Sequence, residues 1–77
     1  MRQILTNLIN RGADIEFSVN GKMYTILPWT DGGINIGQQG PDDGMFFDDA
    51  EALLKGYEID GTPLEMLLDD VRILFTA

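Results

Sequence analysis

The stretch Asp14-Ile15-Glu16-Phe17-Ser18-Val19-Asn20-Gly21-Lys22-Met23-Tyr24-Thr25-Ile26-Leu27 decides the fold. Polar and apolar residues alternate on both sides of Asn20-Gly21, and Asn-Gly suits a type I′ turn, whose two central residues both take positive φ. A two-residue loop fixes the register, so that Val19 faces Lys22, Phe17 faces Tyr24 and Ile15 faces Ile26. One face of the hairpin thereby gathers Ile15, Phe17, Val19, Tyr24 and Ile26, so turn chemistry and hydrophobic pattern agree.

Upstream, Ile4, Leu5, Leu8 and Ile9 fall at helical spacing, which predicts a short amphipathic helix over 2–11 ended by Gly12 in the left-handed conformation. Downstream, Pro28 should stop the second strand, because it has no N–H to give to a ladder. Trp29-Thr30-Asp31-Gly32-Gly33 reads as a turn, and the alternation of Gly33-Ile34-Asn35-Ile36-Gly37 adds a third strand to the meander. Residues 38–44 are loop-like, and Met45-Phe46-Phe47 leads out of them to a helix capped by Asp48 with Glu51 and closed by Gly56. Asp60-Gly61 is a turn. Thr62-Pro63-Leu64-Glu65 then carries helix-start signals, Thr at the N-cap, Pro at the first helical position and Glu at the third, and Leu64, Leu67, Leu68 and Val71 mark the buried side. Val71 to Phe75 is apolar enough for a strand buried on both faces. The expectation is one small acidic α+β domain over 1–77 in the order α-β-β-β-α-α-β. Its four-stranded sheet combines an antiparallel meander with the C-terminal strand, and the helices pack on it.

Composition narrows the function. The chain has 77 residues, enough for one core, and neither cysteine nor histidine. Disulfides, thiol or histidine nucleophile systems and the usual zinc ligand sets are excluded. No GxxxxGK[ST] or GxGxxG phosphate loop occurs, and neither Asp42-Asp43-Gly44 nor Asp48-Asp49-Ala50-Glu51 fits a calcium loop. The acidic pairs Asp42-Asp43, Asp48-Asp49 and Asp69-Asp70 fall in loop, helix-start and helix-end contexts, where carboxylates stay solvated and unsuited to acid–base work. The expectation is a protein that is not an enzyme, uses no cofactor or metal, and works by binding. Its first residues lack the apolar core of a secretory signal, and no run approaches the roughly 20 apolar residues of a membrane span, so the expected compartment is the cytoplasm.

Formal net charge is -8 and the hydrophobic share is 44%. The periodic apolar residues argue for a folded chain, and the charge argues against binding phosphate backbones, which requires Lys and Arg. In residues 1–41, Asp14, Glu16 and Asp31 balance Arg2, Arg11 and Lys22. Residues 42–77 instead set Asp42, Asp43, Asp48, Asp49, Glu51, Glu58, Asp60, Glu65, Asp69 and Asp70 against Lys55 and Arg72. A one-sided field of this kind steers a basic partner. Asp42, Asp43, Asp48, Asp49, Asp69 and Asp70 are therefore candidate partner-binding residues. Asp69 and Asp70 weigh most, because they fall near a predicted helix C-terminus, where the macrodipole disfavours acid. Trp29 is a candidate interface anchor, although a tryptophan here is more readily read as a buried or edge residue closing one end of the sheet.

The run Asn10-Arg11-Gly12-Ala13-Asp14-Ile15-Glu16-Phe17, the Asn20-Gly21-Lys22 hairpin and Ile59-Asp60-Gly61-Thr62-Pro63-Leu64 together resemble small uncharacterised proteins carried by prophages of Gram-positive bacteria. The likeness spans most of the chain and rests on turn and capping motifs, which bear on fold more than on activity. Small acidic phage proteins of this kind include inhibitors of host defence nucleases, the anti-CRISPR proteins among them. The resemblance thus implies a DNA-mimicking acidic surface offered to the basic nucleic-acid site of a nuclease, and it carries no functional residue onto a position of this sequence. Two other readings stand beside it. One is an oligomeric module or sponge holding a nucleotide-like ligand between subunits, with only Arg2, Arg11, Lys22, Lys55 and Arg72 as donors. The other is an accessory subunit of a phage complex.

Overall fold

The computed structural model describes residues 1–41 and 44–77, so the expectations placed on Asp42 and Asp43 lie outside the described residues. Helix α1 (Arg2–Asn10) is followed by strands β1 (Ile15–Val19), β2 (Lys22–Thr30), β3 (Gly33–Gln38) and β4 (Met45–Phe47). Helix α2 (Ala50–Gly56) leads to a ribbon of β5 (Glu58–Ile59) and β6 (Thr62–Pro63), two 3-10 turns (Leu64–Met66 and Leu68–Asp70) and strand β7 (Arg72–Thr76). The main sheet is antiparallel in the order β4-β3-β2-β1-β7, and the helices pack on one of its faces. The α+β class and the order of elements follow the sequence expectation.

Local chemistry explains the first half. Gly12, at φ 81, donates to Ile9 O and Ala13 donates to Leu8 O, both at 3.0 Å, which satisfies two carbonyls of the last turn of α1. Asn20 and Gly21, at φ 54 and 77, form the type I′ turn, and Val19 pairs with Lys22, Phe17 with Tyr24 and Ile15 with Ile26. Ile15, Phe17, Val19, Tyr24 and Ile26 join Ile34 and Ile36 of β3, Leu5 and Ile9 of α1, Leu53 and Leu54 of α2, and Leu64 in one buried core.

Other expectations are corrected. Strand β2 runs through Pro28 to Thr30, because the register shifts between Leu27 and Thr30 and a bulge tolerates a residue without an N–H. Met45-Phe46-Phe47 is itself a strand on β3, too short to display an alternation. Asp49, not Asp48, caps α2, its Oδ1 accepting from the Ala52 N–H at 2.7 Å. The main sheet accordingly has five strands rather than four.

The α-helix expected from Thr62 does not form. Asp60 and Gly61, at φ 54 and 82, make a second tight turn that folds Thr62-Pro63 back on Glu58-Ile59, and so commits Thr62 to a ladder. Leu67, at φ -113 and ψ 8, then separates two 3-10 turns. Their three-residue period still buries Leu64 and Val71 and packs Leu67 and Leu68 against the core. Asp69 and Asp70 therefore sit in a 3-10 turn, and the α-helix macrodipole argument for them lapses. The C-terminal strand is at an edge and not central. The meander leaves the outer side of β1 as the place to pair, and there Ile73 packs against the core while Leu74 and Phe75 stay exposed.

Candidate functional site

Because α1 and α2 cover one face of the sheet, the opposite face is open among the described residues. Positions that alternate with the buried ones point to it, and cross-strand pairing arranges them in rows. Leu27, Asn35 and Phe46 are neighbours across β2, β3 and β4. Phe75, Glu16, Thr25 and Gly37 form the next row, and Arg72, Ser18 and Met23 the third. Gln39 Nε2 binds Thr25 Oγ1 at 2.9 Å and Glu16 Oε1 at 3.3 Å, which makes the middle row largely polar.

The apolar weight lies at the end marked by the Gly32-Gly33 turn. Trp29 is 62% exposed there, against the expectation of burial, in the stretch of β2 where the register with β3 shifts. Its indole Nε1–H donates to Asp14 Oδ1, immediately ahead of β1. Phe46, 55% exposed, lies over Gly32, where a Cβ would come within 3.0 Å of the ring. Asp31 occupies the same turn, and Asp48 follows Phe47, whose partner Ile34 is next to that turn. Trp29 and Phe46 thus share one end of the sheet with Asp14, Asp31 and Asp48.

The acidic candidates are not gathered in one patch. Strands β4 and β7 are opposite edges of the sheet and run in the same direction, so Asp48 and Asp49 after β4 and Asp69 and Asp70 before β7 occupy diagonal corners. Four strand spacings alone amount to about 19 Å, beyond the roughly 8 Å reach of a charge in physiological salt. Other acids are neutralised across the chain. Arg2 contacts Glu51 at 3.0 Å and Glu65 at 3.2 Å, Lys55 contacts Glu51 at 3.1 Å, and Lys22 contacts Asp60 at 3.4 Å. Hydrogen bonds from Lys55 and Arg2 hold Glu51 below its ordinary range, and those to Glu51 and Glu65 raise Arg2. Asp49 is occupied as a helix cap, while Asp48, Asp69 and Asp70 are exposed and make no ion pair among the described residues.

Sequence reasoning singled out Trp29 and Asp48 but missed Asp14, Asp31 and Phe46 as site residues. Phe46 follows only once Met45–Phe47 is a strand, since its consecutive aromatics then face opposite sides and only one of Phe46 and Phe47 can reach the core. Among the described residues there is no enclosed pocket, no group of three or more side chains placed to hold a metal, and no buried polar or charged side chain. No helix among them is long and apolar enough to cross a membrane. What the surface offers is an exposed aromatic and carboxylate patch for contact. No family model, curated protein or solved structure matches this chain.

Proposed function

We propose that this protein binds another protein through the open face of its sheet, at the end carrying Trp29, Phe46, Asp14, Asp31 and Asp48, and that it catalyses no reaction. The exposure of Trp29 and Phe46 at one end of a sheet whose other face carries the buried core supports this reading. Large rings left in water favour association, and tryptophan is the residue most enriched where binding energy concentrates. Base stacking on the aromatics is the competing reading, and the carboxylates around them and the net charge of -8 oppose it.

The carboxylates favour a basic partner. With the resemblance to prophage-borne proteins, that supports an inhibitor acting in the host cytoplasm on the nucleic-acid site of a defence nuclease. The centre of the contact moves from Asp69 and Asp70 to the Trp29 end. A sponge for an anionic ligand draws less support, because Arg2, Lys22 and Lys55 are already engaged by the chain's own acids.

The test is capture from a Gram-positive host lysate on the immobilised protein, with identification by mass spectrometry. A basic nucleic-acid-binding protein should be retained by the parent and by the Asp69→Asn/Asp70→Asn variant and lost from the Trp29→Ala/Phe46→Ala variant. Loss only from the aspartate variant would return the site to that corner, and failure of the parent to retain any basic protein would overturn the proposal.

A further inference from the structure

We infer that Trp29 and Asp14 together form the receptor for an arginine side chain of the basic partner, an inference that rests on the binding role proposed above. No enclosed pocket lies among the described residues, so recognition at this patch must come from stacking and edge contacts. Trp29 is prepared for both. Its indole N–H is tethered to Asp14 Oδ1, which restrains the exposed ring before any partner arrives and lowers the ordering cost of binding. Among the described residues Asp14 Oδ2 accepts no hydrogen bond, and one carboxylate can accept from more than one donor.

A guanidinium fits this pair better than an ammonium. It is planar, lies flat on an indole face, and keeps N–H groups at its edge for a carboxylate beside the ring, whereas lysine presents a compact, strongly hydrated charge. None of the chain's own cations takes the place. Arg2, Lys22 and Lys55 are paired with Glu51, Glu65 and Asp60, while Arg11, three residues ahead of Asp14, and Arg72, opposite Ser18, make no ion pair among the described residues. Asp31 and Asp48 at the same end of the sheet add a field of the sign that draws a cation in.

Trp29 is the only tryptophan, so its indole N–H gives a single resonance that reports on this site alone. The full chain is titrated with N-acetyl-argininamide and, separately, with its neutral isostere N-acetyl-citrullinamide, while that resonance is followed. A saturable shift with the arginine compound and none with the citrulline compound is expected. Asp14→Asn should weaken the arginine response by about two- to fivefold, and Asp69→Asn/Asp70→Asn should leave it unchanged. A still indole resonance, equal responses to the two compounds, or an unaltered response in Asp14→Asn with an otherwise native spectrum would overturn the inference. The parent titration stands even where the variant does not fold. If lysate capture depends on Trp29 and Phe46 but the indole ignores arginine, the binding surface survives and the arginine receptor falls.

Discussion

Phe17 and Tyr24 stack across the first hairpin, with ring centroids 5.3 Å apart and planes 19° from parallel. Tyr57 meets the Tyr24 ring edge-on at 6.2 Å, so one ring ties the meander to the chain that follows α2. Phe17 is wholly buried. Phe17→Ala should therefore cost about 3–5 kcal/mol, a large share of what a domain of this size has. Urea unfolding is the measurement, and a midpoint near that of the parent would deny the pair its central place.

Gly21 and Gly33 both take positive φ but differ in what surrounds them. A Cβ on Gly21 meets nothing within 4 Å, so Gly21→Ala should cost on the order of 1 kcal/mol through backbone strain alone. At Gly33, φ is +110 and a Cβ would lie 2.7 Å from Phe47 O, backbone that cannot step aside without loosening β4. Gly33→Ala should cost clearly more than Gly21→Ala and speed amide exchange in Met45–Phe47. Equal midpoints for the two variants would contradict this account.

Helix capping reverses the order that the sequence suggested. Asp49→Ala removes the acceptor for the Ala52 N–H and should cost about 1 kcal/mol. Thr62 lies in the β5–β6 ribbon, and the position before the first 3-10 turn is Pro63 with no side-chain cap, so Thr62→Ala should change stability by less than about 0.5 kcal/mol. Matched thermal melts of the two variants decide it. A larger loss for Thr62→Ala would reinstate a capped helix at that site.

Acid should act partly through Glu51. Its native carboxyl is held below the ordinary value of 4.5 by Lys55 and Arg2, so the native state binds fewer protons than the unfolded chain as pH falls toward that value. The stabilisation is complete above the ordinary Glu range and is lost as pH drops through the lowered native value. Glu51→Gln should therefore flatten the acid limb of a stability profile and leave its slope near neutrality unchanged. The effect should shrink with added salt, because these groups are exposed. An acid limb as steep as the parent's would remove Glu51 from the account.

The end of α1 at Gly12, the register about Asn20-Gly21 and the turn at Asp60-Gly61 were legible because each is decided within a few residues. Positive φ is cheap only for Gly and its close substitutes, and a period of two then assigns every side chain to a face. The α+β class followed from those pieces. Leu64, Leu67, Leu68 and Val71 were likewise legible as core, although not the backbone that carries them, since a period near three serves an α-helix and a 3-10 turn alike. What only the tertiary structure decided depends on neighbours distant in the chain. The β5–β6 ribbon claimed Thr62, the free side of β1 took β7 to an edge, and Arg2 reached Glu51 and Glu65 over separations of 49 and 63 residues. The candidate site belongs to this second kind. Strand pairing set Trp29 beside Asp14, and the strand order set Asp48 and Asp70 at opposite corners, because hydrophobic period specifies which face is buried but not which element covers it or which strand lies alongside.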